Sequence, residues 1–347
     1  MMQVATAYHI GAPGVPWGEV ERAAWLAERV VQRSYHDIVL SRLEAICKTE
    51  HVKALFAVDR YGALSHDPSW YPLLYVQSRT WSPDKPCVLI TGGVHGYETS
   101  GVLGAMRFLE EHATKYAEHC NLLIAPCVSP WAFEHIQRWN AAAVDPNRSF
   151  RTGMVPDGAG AKQEDDAIAA GSSWRGAPAA LDNLAEESVA LARLIASRGA
   201  AEWLCHVDLH ETTDSDEGEF IPAKAARDGH AYVRGEVPDG FYVVGDAGTP
   251  LTASEQASFL GAVVAAVRCV THIAPADADG RIINEVATQE GVIMYPYAAL
   301  GLCGSAAAAR FAATTEVYPD STSATEEECT AAQVAAVCGA LDHVLGL

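Results

Sequence analysis

Short apolar runs alternate along this chain with longer segments in which apolar residues recur every three or four positions. Short runs bounded by turn residues are typical of buried strands, and the longer periodic segments are typical of helices. Strands are predicted at 52–58, 72–76, 87–90, 121–125, 203–209, 240–244 and 310–318. Helices are predicted at 20–46, 101–117, 184–197, 254–270 and 325–345. Strands that alternate with helices favour an α/β fold built on a mainly parallel sheet.

One stretch departs from this alternation. Residues 151–178 are rich in Gly, Ala, Ser and Asp and have no hydrophobic period, which predicts a long surface loop near the rim of a functional site. The chain contains no internal repeat and no linker that would separate two domains. We therefore expect residues 1–347 to form one domain.

The amino-acid composition limits the classes of partner that this protein is expected to bind. The net charge is −20, from 24 Lys and Arg against 44 Asp and Glu, which argues against nucleic acid or an anionic membrane surface. No apolar run reaches the length of a membrane span, and the N-terminus lacks a signal-peptide pattern. The nine cysteines are scattered without Cys-x-x-Cys pairs. Their spacing predicts reduced, buried thiols and a cytoplasmic protein.

Two residues that can bind a metal follow the strand predicted at 87–90. Glycines let the chain leave that strand in a tight turn, and His95 and Glu98 lie three residues apart on it. Zinc accepts nitrogen and oxygen donors, and a catalytic zinc usually has three protein ligands and one open position. A His-x-x-Glu pair is common by chance, so this interpretation depends on further ligands.

The strand predicted at 203–209 supplies candidates for the third ligand. Residues two apart on a strand share a face, so His206, Asp208 and His210 line one side. The strand delivers His210 to the carboxyl edge of the sheet, where open α/β sheets bind ligands. Either imidazole can be the ligand, and Asp208 is placed to orient it. The neighbouring Glu211 points to the opposite face and is predicted to be structural.

Positive charge is concentrated between residues 138 and 148 of this acidic chain. Arg138, Asn147 and Arg148 lie close together there. The planar fork of arginine matches a carboxylate. The cluster is therefore either a clamp for an anionic group of a substrate or a solvated surface patch.

A single carboxylate interrupts the apolar run at 312–318. Glu316 is either a surface residue of an edge strand or a buried functional group with a raised pKa.

These four motifs, in this order, resemble those of the M14 family of zinc carboxypeptidases, whose superfamily includes succinylglutamate desuccinylases and aspartoacylases. The family pattern is His-x-x-Glu after a strand, then Asp-x-Asn-Arg, a His at a strand end and a Glu on a late strand. Here it matches His95 with Glu98, residues 145–148, His210 and Glu316. The form Asp-Leu-His-Glu-Thr-Thr resembles the deacylase branch. That branch has an additional β-rich domain after the Glu, whereas only residues 317–347 follow it here.

The resemblance implies a single α/β domain with a central, mixed, mostly parallel sheet of about eight strands and helices on both faces. It also implies a role for each matching residue: His95, Glu98 and His210 bind one zinc ion, Asn147 and Arg148 hold the substrate carboxylate, Arg138 polarises the scissile carbonyl, Glu316 is the general base, and Tyr297, or alternatively Tyr295, is the mobile substrate-binding tyrosine.

The implied function is zinc-dependent hydrolysis of the C-terminal amide bond of a peptide or peptide-like substrate. An alternative is a deacylase for an N-acyl amino acid, and an alternative of another class is a metal-binding or peptide-binding protein without turnover. The presence of Glu316 argues against the last of these. In both enzymatic readings the partner is a small substrate with a free carboxylate.

Overall fold

The computed structural model describes residues 8–151, 183–199, 202–235 and 237–347. The loop predicted at 151–178 therefore lies, except for Arg151, outside the described residues. The strands are β1 (Phe56–Ala63), β2 (Pro72–Ser78), β3 (Cys87–Gly92), β4 (Asn121–Ala125), β5 (Trp203–Glu211), β6 (Tyr242–Asp246), β7 (Arg281–Ile282), β8 (Glu285–Val286), β9 (Val292–Tyr295) and β10 (Phe311–Val317). The α-helices are α1 (Glu19–Ala27), α2 (Ser41–Lys48), α3 (Glu50–Leu55), α4 (Thr99–Glu111), α5 (Ala113–Tyr116), α6 (Pro130–His135), α7 (Glu186–Ala196), α8 (Ile221–Asp228), α9 (Ala253–Arg268), α10 (Tyr297–Leu300) and α11 (Glu326–Leu345).

Eight of these strands form one sheet in the order β1-β2-β4-β3-β5-β10-β6-β9. Four of its seven pairings are parallel: β4 with β3, β3 with β5, β5 with β10, and β6 with β9. The pairings of β1 with β2, β2 with β4, and β10 with β6 are antiparallel. Strands β7 and β8 make a separate hairpin. The expected mixed, mostly parallel sheet of eight strands is confirmed.

Residues that alternate along β3 enter two different apolar clusters. Val88 and Ile90 belong to the cluster that includes α4, α9 and α11. Leu89 packs in a second cluster with Leu191 and Leu194 of α7. Because successive strand residues point to opposite faces, the sheet is covered by helices on both faces, as expected.

The three central strands bring the candidate residues to one edge. Strands β3, β5 and β10 are adjacent and parallel, so their carboxyl ends meet. The register places Glu316 beside His210 and Thr91 beside Asp208. Polar side chains from distant parts of the sequence thus share one face at this edge.

The prediction of one helix over residues 20–46 is wrong in the middle of that range. Helix α1 ends at Ala27, and a π-helical turn at His36–Leu40 leads into α2. Between them the amides of Gln32 and Arg33 donate to the carbonyl of Glu134 rather than within a helix. Val30 and Val31, which the periodic pattern placed in the core, are exposed.

Two other element boundaries also differ from the prediction. The strand predicted at 52–58 begins only at Phe56, because residues 50–55 form α3 with Val52 as its buried residue. A short apolar run does not distinguish a strand from a buried helical turn. The helix predicted at 101–117 is interrupted at His112, which separates α4 from α5.

The nine cysteines are all free, and six of them are buried. Among the described residues, no helix combines the length and apolar character that crossing a bilayer requires.

Candidate metal centre

The loop between β3 and α4 carries two of the three candidate ligands. Gly93 has a positive φ of 60°, and a Cβ at Gly96 would lie 1.9 Å from the carbonyl carbon of Ala132. Only glycine fits at such a close approach to a neighbouring backbone. The packed turn brings His95 and Glu98 over the end of β5.

His95, Glu98 and His210 converge at this point. One potential ligand atom from each lies within 4.8 Å of those from the other two, and all three side chains are buried. His95 Nδ1 is 2.7 Å from Glu98 Oε1, and His210 Nδ1 is 2.7 Å from Glu98 Oε2. The structure thus brings together the three residues that the motifs indicate as candidate ligands.

The environment of these atoms fits a metal ion better than a hydrogen-bonded cluster. His210 Nδ1 and Glu98 Oε2 are buried and, among the residues that the structure describes, have no partner with hydrogen-bond geometry despite their proximity. Buried polar atoms are rarely left unpaired. Two imidazole nitrogens and a carboxylate oxygen that face one another, beside a pocket, match the three-ligand pattern of a catalytic zinc.

The outer nitrogens of both imidazoles contact carboxylates. His95 Nε2 is 3.1 Å from Asp145 Oδ1, and His210 Nε2 is 2.8 Å from Asp208 Oδ2. Carboxylates in this position orient ligating histidines and raise their basicity. Asp208 lies beside His210, in the position that the sequence predicts for a residue that orients the imidazole.

Electrostatics keep the Glu98 carboxylate ionised. Burial alone would raise its pKa, but the charges of His210 and His95 lower it to about 2. Burial would lower the pKa of His210, but Glu98 and Asp208 raise it well above the usual value. An ionised carboxylate is the form that binds a metal, and a cation would displace the proton from the imidazole.

His206, the alternative third ligand, is not close to His95 and Glu98. It lies deeper on β5, with Nε2 2.9 Å from Thr91 Oγ1 and Nδ1 3.3 Å from the carbonyl oxygen of Gly304. Thr91 Oγ1 donates to Asp208 Oδ1 at 2.6 Å. His206 therefore belongs to the hydrogen-bond network that fixes Asp208 beneath His210.

The segment between Arg138 and Arg148 packs directly against this centre. Asp145 caps the short 3₁₀ turn Pro146–Arg148 by accepting from the Asn147 amide, while its Oδ2 accepts from Arg138 Nε at 3.1 Å. Burial would raise the pKa of Asp145, but Arg138 and His95 hold it well below the usual value. One carboxylate therefore ties the arginine cluster to the imidazole of His95. The cluster is buried, which excludes the interpretation as a solvated surface patch.

Most of the candidate residues line one pocket. The charged and polar residues in its wall include Glu98, Arg138, Asn147, Arg148 and Glu316. Its remaining wall is formed largely by Tyr242, Val244, Ile283, Tyr295, Leu302 and Thr314. Two of the metal-binding candidates, His95 and Glu98, therefore face a common space with the arginines and Glu316.

Glu316 lies on an interior strand, since β10 runs between β5 and β6. The edge-strand interpretation is thus wrong. Thr212 Oγ1 donates to Glu316 Oε2 at 3.0 Å. Loss of surrounding water raises the pKa of Glu316 to about 8, with His210 opposing the shift and Glu98 adding to it.

Glu211, the competing carboxylate, also lines the pocket, but it is engaged by the start of α4. It accepts a hydrogen bond from the amide of Ser100 at the start of α4. Gln333 of α11 donates to the carbonyl of the neighbouring His210 at 2.8 Å. These contacts fix the strand end that carries His210, as expected for a structural role.

The placement of Tyr297 contradicts the expectation of a mobile substrate-binding residue. Its side chain is fully buried, its hydroxyl donates to the carbonyl of Val244, and that hydroxyl accepts from the Thr314 amide at 3.0 Å. Pro296 ends β9, so Tyr297 begins α10 instead of continuing along the strand. Tyr295, the alternative, lines the pocket.

Arg33 holds the loop between β3 and α4 in place, and no motif in the sequence predicts this role. Arg33 donates to Thr99 Oγ1 at 2.6 Å, to the carbonyl of Gly96 and to the carbonyl of Phe133 at 2.7 Å. Its guanidinium also lies 3.5 Å from the ring centre of Phe133. Arg33 thus clamps the turn that carries His95 and Glu98.

Replacing Arg33 with alanine should weaken metal binding by about 10- to 100-fold, the usual effect of removing a group that supports metal ligands. Competition with a chromophoric chelator measures this affinity. Arg42→Ala is the control, because Arg42 is a half-buried arginine on α2 that forms an ion pair with Glu110 at 3.7 Å and is not among the residues that contact the loop of His95 and Glu98 in the described structure. Equal affinity for the two variants would show that the clamp does not support the centre.

Comparisons with known proteins were made for sequence and for fold. No protein-family model matches the chain, and no curated protein sequence matches it significantly. A candidate metallopeptidase from Shewanella amazonensis is similar in structure, with a TM-score of 0.62 and 20% identity over 91% of this chain and 99% of the other. Carboxypeptidase A from Helicoverpa armigera has a TM-score of 0.57 and 14% identity over 93% of this chain and 78% of the other. The chain has the carboxypeptidase fold.

A metallo-carboxypeptidase from Burkholderia cenocepacia also shares the carboxypeptidase fold, with a TM-score of 0.53 and 16% identity over 95% of this chain and 69% of the other. At such identities the likeness establishes architecture and not activity. Function has to be argued from the residues of the site.

Proposed function

We propose that this chain is a zinc-dependent metallocarboxypeptidase that removes the C-terminal residue of a peptide or peptide-like substrate, with residues 1–347 acting as one catalytic domain. The observation that carries the proposal is the pocket itself. His95 and Glu98, which form a group with His210, border one space together with the buried arginines and Glu316. A metal site beside a carboxylate clamp and a carboxylate base is what hydrolysis next to a free carboxylate requires.

Binding begins with the terminal carboxylate. Arg148 and Asn147 line the pocket and are assigned to this group, because guanidinium and amide donors match its two oxygens. Asn147 Oδ1 accepts from the Cys303 amide at 2.7 Å, which fixes the side-chain amide. The substrate is thereby oriented before reaction, which is a large part of catalysis.

Arg138 holds a fixed positive charge at the pocket wall. It is anchored to Asp145 at 3.1 Å and lies 3.5 Å from Asp216. We assign it to stabilising the negative charge that develops on the carbonyl oxygen, since a preorganised donor acts strongly in a site shielded from water.

Proton transfer is assigned to Glu316. In this role its carboxylate would accept a proton from the attacking water and donate it to the leaving nitrogen, and its position in the pocket wall supports the assignment. His95, Glu98 and His210 would hold the zinc ion, which would supply Lewis-acid chemistry that polarises the carbonyl and makes water a better nucleophile near neutral pH.

A hydrolysis screen of the zinc-loaded protein tests the proposal. Peptides that differ only in their last residue should lose that residue, and the same peptides with an amidated C-terminus should not, because the clamp requires a carboxylate. Release of an acyl acid from N-acyl amino acids, without cleavage of peptides, would instead identify a deacylase. Absence of any hydrolysis by protein with metal bound would overturn the proposal.

A further inference from the structure

The first turn of α7 packs against the turn that carries the carboxylate clamp, the pair Asn147 and Arg148. Ser188 Oγ donates to the carbonyl of Pro146, just before the clamp, at 2.9 Å. Ser149, just after the clamp, accepts through Oγ from the N-cap amide of α7 at 3.1 Å. All five of these residues are buried. The position of the clamp therefore depends on how α7 begins.

Glu187 lies in sequence between the two residues of α7 that make these contacts, and it reaches the segment before the clamp. Its side chain is fully buried, and its Oε2 accepts from Asn140 Nδ2 at 3.2 Å. The orientation of Asn140 is fixed, because its Oδ1 accepts from the amides of Ala142 at 3.0 Å and Val144 at 3.1 Å. Asn140 thus holds the turn that leads into Asp145 and the clamp. Glu187 supports that turn through Asn140.

The second oxygen of Glu187 faces a hydroxyl whose hydrogen is already used. Oε1 is 3.4 Å from Ser129 Oγ, while the same hydroxyl donates to the carbonyl of Val94 at 2.7 Å. A serine hydroxyl has one hydrogen, and a carbonyl oxygen has none to give. The contact between Glu187 and Ser129 is therefore satisfied when the carboxyl carries a proton and donates it to Ser129. An ionised carboxylate would instead compete with Val94 for the single hydrogen.

Among the residues that the structure describes, no positive charge pairs with Glu187. The titratable groups that face it are Glu186 on the same helix and Tyr61 of β1. Burial raises the pKa of Glu187 to about 7; hydrogen bonds from its own amide, Asn140 and Ser129 oppose this shift, and Glu186 adds to it. A buried charge without a partner is costly. The neutral acid is therefore the favoured form up to about neutral pH.

We propose that Glu187 is a positioning residue for the carboxylate clamp and that it acts as a neutral carboxylic acid. The protonated side chain joins Ser129 and Asn140 to the start of α7, and so holds the turn before Asp145 in place. Loss of the proton leaves a buried charge and a shared hydrogen, which loosens that turn and weakens binding of the peptide carboxylate. The inference rests on the proposed function, because the clamp is assigned there.

The variant Glu187→Gln copies the neutral acid at every pH, because its amide donates to Ser129 and its oxygen accepts from Asn140. At about pH 6, one unit below the pKa, the variant and the wild type should have nearly equal KM values for a peptide with a free C-terminus. From there to about pH 9, the KM of the wild type should rise about fivefold relative to that of the variant, the usual effect of one neutral hydrogen bond. The ratio of their kcat values should stay constant, because the clamp binds the ground state and the transition state alike.

Glu186→Gln is the matched control for this experiment. Glu186 is the neighbouring residue on α7, but it is exposed and accepts from the amide and the hydroxyl of Ser65 at 2.9 Å and 3.0 Å. This control removes the same charge and should follow the pH dependence of the wild type. A KM ratio between Glu187→Gln and the wild type that does not change with pH would overturn the inference. A large rise in the KM of Glu187→Gln at low pH would overturn it as well.

Urea unfolding detects the proton on Glu187 without turnover. Because its pKa rises from the usual 4.5 to about 7 on folding, the folded chain keeps a proton that the unfolded chain releases in this window. The stability that this group contributes is complete below pH 4.5 and is lost as the pH rises to about 7. In this window the unfolding constant of the wild type should increase about tenfold per pH unit relative to that of Glu187→Gln. Identical pH dependence of the two proteins would show an ionised Glu187 in the folded chain and would overturn the inference.

Failure of the inference and failure of the proposed function give different results. Hydrolysis of peptides with a KM ratio that is independent of pH would overturn the role of Glu187 and spare the carboxypeptidase activity. Neither binding nor hydrolysis of any peptide, in protein whose unfolding shows the expected pH window, would overturn the proposed function and the role of Glu187 in the clamp together.

Discussion

Replacing Glu316 with glutamine should lower kcat by about 10³-fold, within the range that a general base contributes. Glutamine keeps the shape of the side chain and its hydrogen bond to Thr212, but it cannot accept a proton. Metal content and KM should change little, because Glu316 is not in the ligand group. Steady-state hydrolysis of a cleaved peptide, with elemental analysis of the same sample, measures both quantities.

Glu211→Gln is the matched control for this experiment. Glu211 also lines the pocket, but its carboxylate already accepts a hydrogen bond from the Ser100 amide at the start of α4. The side-chain oxygen of the glutamine should still accept that hydrogen bond. The substitution should therefore reduce kcat by less than about tenfold, the effect of one neutral hydrogen bond. Wild-type turnover by Glu316→Gln, or an equal loss in Glu211→Gln, would remove Glu316 from the role of base.

Replacing Arg148 with glutamine should lower kcat/KM for peptides with a free C-terminus by about 100-fold, because truncating one partner of a buried charge pair costs roughly 2–5 kcal/mol. The effect should fall mainly on KM, since the carboxylate is bound in both the ground state and the transition state.

Amidated peptides serve as the control for Arg148. The wild type should discriminate strongly against them, and Arg148→Gln should lose most of that discrimination. If the effects of replacing Arg148 and of amidating the peptide are not additive, the difference measures the interaction between the guanidinium and the terminal carboxylate. If the variant still rejected amidated peptides as strongly as the wild type, the clamp would have to lie elsewhere.

Local patterns predicted the elements that depend on neighbouring residues. Strand β4 was predicted at its observed bounds, 121–125, because a short apolar run lies between turn residues. Helix α11 begins where Thr325 and Glu328 form a reciprocal cap. The alternation of polar residues along β5 likewise placed Asp208 and His210 on one face.

Two features that the sequence did not predict, the break after α1 and the role of Arg33, depend on contacts between residues far apart in the chain. The break after α1 is set by the carbonyl of Glu134, which accepts from Gln32 and Arg33 about a hundred residues away in the chain. Nothing near Arg33 indicates that it holds the loop of His95 and Glu98.

The choice between the two tyrosines also depended on tertiary structure. Tyr295 and Tyr297 are two residues apart and would share a face if the strand continued. Pro296 ends the strand, so Tyr297 turns into the core and only Tyr295 lines the pocket. A two-residue period holds only as far as the strand itself.

Metal content tests the ligand group most directly. Elemental analysis of protein purified without chelator and incubated with zinc should find about one ion per chain, the usual occupancy of a catalytic three-ligand site. His210→Gln should lose most of that metal. His206→Gln, on the same strand and face, should retain most of it, because His206 reaches the centre only indirectly, through Thr91 and Asp208. No bound metal in the folded wild type, or equal retention by the two variants, would contradict a centre formed by His95, Glu98 and His210.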